Sequence, residues 1–245
     1  MPRAIHCCVV MAHPLAPRLT GIVPKVVLYH KMTCPQCAGI EEMFDDEHAE
    51  DELRHYRKRG PRRTSRILIR ELSARGVDGQ TVLDVGGGVG AVHLALLKAG
   101  ARQATDVDAS AAFLRVAQRE AGRRRLRGRV TYVHGDFAKL GRTTERADIV
   151  TLDKVVCCYC DAQSLLRWAA DRTGRSLGIV YPRDGWLSRL VNWIFNLRWV
   201  RVTDGFRTFV HPRETVEGVI TSSGLQMVRR VSCGLWQVVL FSRPQ

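Results

Sequence analysis

From Thr81 onward, short apolar runs bounded by turn residues alternate with longer stretches of helical period. Thr81–Val85, Gln103–Val107, Val130–Val133, Ile149–Leu152 and Leu177–Tyr181 read as strands. Between them, residues 90–99, 111–121 and 163–170 read as helices, with Ser110 placed to cap the second. Glu214–Ser222 reads as a helix stopped by Gly224, and Leu225–Val231 then pairs with Trp236–Phe241 across a Cys-Gly turn. The alternation, closed by a strand pair, predicts an α/β fold: a doubly wound, mostly parallel, seven-stranded sheet with an antiparallel C-terminal hairpin. Upstream, residues 44–60 are charged and helix-compatible. Pro61 and Thr64 introduce a second helix, SRILIRELSARG, ended by Gly76. Residues 1–31 have no clear period. The expected organisation is a partly irregular N-terminal extension over 1–43 and one domain over 44–245. That domain holds N-terminal helices at 44–76 and an apolar insert at 185–211.

Composition changes this picture little. Hydrophobic content is 45% and charged content 25%, ordinary for a globular domain. No apolar run reaches the roughly 18 to 20 residues of a membrane span. The opening MPRAIHCCVVMAHPLAP has a weak signal-peptide look, but its apolar run is short and stopped by His13 and Pro14. A cytoplasmic location is expected, with peripheral membrane contact as a variant. Met32 is an alternative start.

Net charge is more pointed, at +14. It suits RNA, anionic membranes or acidic substrates. The clusters RHYRKRGPRRTSR (54–66) and REAGRRRLRGR (119–129) lack the repeated aromatics that stack on bases, so solvated helix faces are the favoured reading. Eight cysteines, at 7, 8, 34, 37, 157, 158, 160 and 233, do not form a secreted disulfide pattern. Cys34-Pro-Gln-Cys37 has zinc-knuckle spacing, and Cys157, Cys158 and Cys160 could complete it. The second group is not a C-x₂-C, however, and reduced thiols without metal are expected.

The chemistry concentrates in TVLDVGGGVG, residues 81–90. A strand that runs into Gly86, Gly87, Gly88 and Gly90 and then into a helix is the grammar of a nucleotide site. Asp84 stands two residues before the first glycine. A carboxylate there opposes a pyrophosphate and suits a ligand bearing an ammonium group. Asp108 ends the second strand and can accept from ribose hydroxyls. After the third strand comes HGDF, where Asp136 can accept from an exocyclic amine and Phe137 can pack on a flat ring.

This ordered set, with ADIVTLD at the fourth strand, resembles the class I S-adenosylmethionine-dependent methyltransferases over about residues 64–242. The resemblance implies that Asp84, Gly86, Gly88 and Gly90 hold the methionine part of S-adenosyl-L-methionine, Asp108 the ribose, and Asp136 with Phe137 the adenine. In layout the chain is nearest to small-molecule O-methyltransferases of the tetrapyrrole and quinone type. Those often place a His soon after strand four, where this chain has Cys157 and Cys158. Methyl transfer needs a base only when the acceptor must lose a proton. Asp153 and Tyr159 after strand four, and His211 in FVHPRE, are the candidate catalytic residues. Tyr56, on an N-terminal helix, is a candidate contact to the cofactor pocket.

The insert GWLSRLVNWIFNLRWV (185–200) gathers three tryptophans and a phenylalanine. It reads as a lid over an apolar acceptor, as a membrane contact, or as a helix buried against the core or a second copy. The expected function is methylation of a small, apolar or aromatic acceptor, O-methylation favoured. RNA or protein methylation and non-catalytic cofactor binding are the alternatives. An NAD-dependent oxidoreductase is disfavoured by Asp84.

Overall fold

The computed structural model describes residues 26–28, 35–199 and 206–244, with side chains over 39–197 and 206–244. Among these residues the sheet has eight strands: β1 (Val26–Leu28), β2 (Thr81–Val85), β3 (Gln103–Asp108), β4 (Val130–His134), β5 (Ala147–Asp153), β6 (Thr173–Pro182), β7 (Gln226–Cys233) and β8 (Trp236–Ser242). Their spatial order is β1-β4-β3-β2-β5-β6-β8-β7. Strands β1 to β6 run parallel; β8 is antiparallel to both β6 and β7. The seven strands from Thr81 onward are the expected doubly wound sheet with its C-terminal hairpin. The short β1, pairing Val26 with Tyr132, adds an eighth.

The helices are α1 (Pro35–Met43), α2 (Asp46–Arg59), α3 (Arg63–Ser73), α4 (Ala91–Lys98), α5 (Ala111–Arg123), α6 (Phe137–Leu140), α7 (Ala162–Arg172), α8 (Trp186–Trp199) and α9 (Arg213–Ser222). Alternating strand residues feed two cores, as both faces of a covered sheet must. On β8, Val239 and Phe241 face the α7–α9 side, whereas Val238 and Leu240 face the α3–α4 side. A third cluster packs Ala49, Leu53 and Tyr56 of α2 on Ala112, Phe113 and Val116 of α5. Glu120, fully buried, clamps the same pair of helices by accepting from Arg57 at 3.0 Å, Arg123 at 2.7 Å and Arg124 at 2.8 Å. Part of the basic surface is therefore spent on internal acids.

Three local differences from expectation have physical causes. Residues 35–43 fall in the segment read as partly irregular, yet form α1. Its buried Ile40 and Met43 join the main core, so tertiary contact supplies what periodicity does not. Strand β6 starts four residues earlier than its apolar run, because TGRS pairs through backbone with β5 and Thr173 meets Ala147. Asp136 caps the single-turn α6 by accepting from the Ala138 N–H at 2.9 Å. At one edge, β7 is mostly exposed and its register against β8 shifts between Met227 and Arg229.

Candidate active site

Strand β2 delivers the glycine turn to the carboxyl edge of the sheet, between β3 and β5, where the strand order reverses. Gly86 and Gly88 have φ of 64° and 57°, a region closed to most side chains. The turn is held from beneath by acids. Asp84 accepts from Thr151 Oγ1 at 2.6 Å and faces His93 Nδ1 at 2.9 Å. Both its oxygens are thereby engaged, and the side chain is 1% exposed. What Asp84 offers a ligand is negative charge behind the turn. Asp106 lies alongside, fully buried, with Oδ1 accepting from the Gly87 N–H at 3.3 Å. Burial, then the neighbouring Asp108 and Asp84, push its carboxyl well above the usual range. Asp108 is pushed up to about 6 by burial, against the pull of the Ser110 and Gly88 amides that donate to it at 2.8 and 3.1 Å.

Two cavities meet at this turn. The larger, about 310 Å³, is mostly apolar and is walled by Ile40, Phe44, Val107, Ala109, Phe113 and Phe137, with Asp108 on one side. The smaller, about 120 Å³, is polar and is walled by Glu52, Tyr56, Arg62, Ser65 and Asp84. Gly86, Gly88, Phe113, Asp153 and Lys154 line both. Asp153 accepts a short hydrogen bond from Ser65, and its Oδ1 lies 3.5 Å from the Lys154 ammonium. Lys154 has φ of 66°, a strained setting for a non-glycine residue, held by its N–H donating to the Val180 carbonyl at 3.0 Å.

Residues 82–173 match a family described as a methyltransferase domain. Over these 92 of its 245 residues the chain is similar to methyltransferase domains. No curated protein matches it in sequence. Among solved structures it is similar to magnesium protoporphyrin IX methyltransferase from Synechocystis with bound SAH (S-adenosylhomocysteine), at 18% identity. The TM-score is 0.66, over 85% of this chain and 100% of that one. It is also similar to an O-methyltransferase family protein from Burkholderia thailandensis, at 20% identity and TM-score 0.61, over 82% of this chain and 63% of that one. A third is a putative RNA methyltransferase from Pyrococcus horikoshii, at 16% and 0.54, over 76% and 84%. At these identities the likeness is one of fold.

The walls fit the methyltransferase cofactor part by part. A flat adenine suits the aromatic cavity, and Asp108 stands where ribose hydroxyls would donate. The polar cavity is walled by two ion pairs, Glu52 with Arg62 at 2.6 Å and Asp153 with Lys154 at 3.5 Å, with which an amino-acid zwitterion would have to exchange partners.

The candidate residues do not all share one surface. Gly86, Gly88, Asp108, Phe137, Asp153 and Tyr159 line the larger cavity. Asp84 and Tyr56 line the smaller. Gly90, φ 82°, is the N-cap of α4 and lines neither. The Asp136 side chain is turned to its cap while its neighbours Gly135 and Phe137 face the cavity. His211 lines neither cavity. Its Nε2 is 2.8 Å from the Tyr159 carbonyl, and burial lowers its pKa. It ties down the loop after β5.

The zinc-knuckle reading lies outside the described residues, since Cys34 and the Cys37 side chain are not among them. Among the described residues no cluster of three or more His, Cys, Asp or Glu could hold a metal. Sequence reasoning passed over Phe44, Phe113, Asp106 and His93, whereas Lys154 stood among the candidates after strand four. Phe113 carried a usable signal: it is the residue whose N–H the capping Ser110 accepts, at 3.2 Å, and so must lie beside the turn.

Proposed function

We propose that this chain methylates a small, apolar or aromatic acceptor, with oxygen as the favoured methylated atom. One observation carries the reading. A third cavity, about 250 Å³, lies beneath α8 and is walled by Pro182, Val191, Phe195, Val210, Leu235 and Trp236. The turn around Cys157 and Cys158 adjoins both this cavity and the cofactor cavity, since Cys157 lines one and Cys158 the other. An apolar room that shares this turn with the donor's cavity suits a compact lipophilic group.

Bound S-adenosylmethionine supplies an electrophilic methyl group on a sulfonium. The residues shared by the two cofactor cavities mark where its two halves would meet, and Asp153 is among them. Its carboxylate, oriented by Ser65, is placed to favour a nearby positive charge and to accept the proton of an acceptor hydroxyl. Tyr159 lines the same end, and His211 positions its backbone. RNA is the second reading, favoured by the charge of +14.

Transfer of radiolabelled methyl groups should be followed into lipid, small-molecule, RNA and protein fractions. Label in the organic-soluble small-molecule fraction is expected, and label confined to RNA would overturn the reading. Asp153→Asn should lower turnover roughly 10²- to 10⁴-fold and leave SAH affinity within a few-fold. Unchanged turnover would remove Asp153 from the reaction.

A further inference from the structure

Helix α8 carries its polar anchors inward and its apolar side chains outward. On the inner face, Asn192 and Asn196 donate to the Thr208 carbonyl at 3.0 and 2.8 Å, and Asn196 accepts from the Thr208 N–H at 2.9 Å. Ser188 is buried, and Phe195 packs against the main core. The outer face holds Trp186 at 76% exposure and Trp193 at 59%, with Leu187, Leu190, Val191, Ile194 and Leu197 each above 40%. Residues 186, 190, 193 and 197 recur at helical spacing, and 187, 191 and 194 widen them into one stripe about 16 Å long. Single exposed apolar residues are ordinary; seven on one helix face mark a contact surface.

Charge selects the occupant. Residues 183–207 contain Arg183, Arg189, Arg198, Arg201 and Arg207 against only Asp184 and Asp204, within a chain of net charge +14. Arg189 and Asp184 pair at 2.7 Å and cancel, which leaves four arginines against Asp204 in this stretch of sequence. A second copy of the chain would bring the same positively charged stretch against itself across a two-fold contact. An anionic surface would meet it with opposite charge. Among the described residues no helix is long and apolar enough to cross a membrane. A stripe bearing exposed tryptophans, in an arginine-rich stretch of sequence, instead suits the boundary between headgroups and acyl chains.

We propose that α8 lies in the plane of an anionic lipid bilayer, with the Trp186–Leu197 stripe facing the acyl chains. Because Val191 and Phe195 also wall the cavity beneath the helix, docking sets that cavity beside the lipid, where an apolar acceptor is dissolved. This last consequence rests on the small-acceptor reading; the docking does not.

The test uses the full chain and two kinds of vesicle: phosphatidylcholine alone, and equal parts phosphatidylcholine and phosphatidylglycerol. Sedimentation with the anionic vesicles, weakening as salt rises, is expected, with little binding to the neutral ones. Brominated lipids should quench the tryptophan emission of the bound protein. Replacing Trp186 and Trp193 together by Ser should lower partitioning roughly tenfold or more. SAH affinity should not change, because neither residue lines the cofactor cavities. That control separates failure of docking from failure of the fold or of the methyltransferase reading. Absence of binding to anionic vesicles at low salt would overturn the proposal, as would wild-type partitioning of the double variant. So would light scattering that shows a stable dimer which the double variant converts to monomer.

Discussion

Gly87 is the point where the turn is packed most tightly against its acids, and Gly87→Ala tests the whole arrangement. Its backbone is not in the left-handed region, so an added methyl costs only space. A Cβ there would stand 2.5 Å from Asp106 Oδ1, 2.8 Å from Asp106 Cγ and 3.0 Å from Asp84 Oδ2. Ordinary contact begins at 3.4 Å, so Asp106 would have to retreat by 0.9 Å (3.4 less 2.5). Neither acid can readily do so. Asp106 is fully buried, and Asp84 is pinned by Thr151 at 2.6 Å and His93 at 2.9 Å. Overpacking of this kind costs about 1–3 kcal/mol. Some of the displacement must pass into Gly86 and Gly88, which line both cofactor cavities. SAH affinity should fall about tenfold or more, equivalent to roughly 1.4 kcal/mol. Urea unfolding followed by circular dichroism, with SAH titration calorimetry, measures both losses. Asp106→Ala removes the atoms in the way, so the double variant should regain most of what Gly87→Ala loses, with a coupling of about 0.5–3 kcal/mol. Wild-type stability and affinity in Gly87→Ala would refute the reasoning. So would a double variant no better than the single.

The remaining expectations concern charge and loop position. If the ionised Asp108 carboxylate accepts from a bound ribose, SAH affinity should be flat above about pH 7 and fall as pH drops through about 6; Asp108→Asn should then bind weakly at every pH in the same calorimetry. Folding runs the other way for this group: its raised carboxyl stabilises the fold below about pH 4, and that contribution is lost as pH rises through about 6. Burial opposes ionisation of Glu120, but hydrogen bonds from Arg123, Arg124 and Arg57 outweigh it and push the carboxyl down to about 2. Its contribution is therefore present above pH 4.5 and lost as pH falls through about 2. Glu120→Gln should cost about 2 kcal/mol in urea unfolding at pH 7, a modest figure because the three arginines are 29–55% exposed, and almost nothing near pH 2. His211→Gln can still donate to the Tyr159 carbonyl and should keep most of kcat, whereas His211→Ala should lower kcat several-fold with SAH affinity unchanged; equal losses in both variants would point instead to a base.

Much of the frame was legible because local pattern and global fold agree. Thr81–Val85, the Ser110 cap and the Trp236–Phe241 strand each carry their own signal, in alternation, side-chain oxygen or apolar run. The glycine turn was legible for the same reason. What stayed hidden depends on partners distant in sequence. Asp84 could be placed, but its engagement by Thr151 and His93 requires β5 and α4 to close on it. Phe44 lines the cofactor cavity, held there by Phe113 and Phe206 and by the Ser110 hydroxyl, which donates to its carbonyl at 2.6 Å across 66 residues of sequence. The orientation of α8 was equally unreadable, since its sequence is apolar on more than one face. It is Thr208, anchoring Asn192 and Asn196, that decides which side turns outward.

The place of β8 has a bearing on how the protein is made. Trp236–Ser242 is not an edge strand: it sits between β6 and β7, and Val238 through Phe241 are fully buried. On the ribosome, β6 can complete neither its sheet pairing nor its two cores until these residues emerge, so closure of the sheet waits on them. Until then the apolar edge of β6 stands open to other strands, and a nascent or truncated chain ending before Trp236 should depend on chaperones or aggregate.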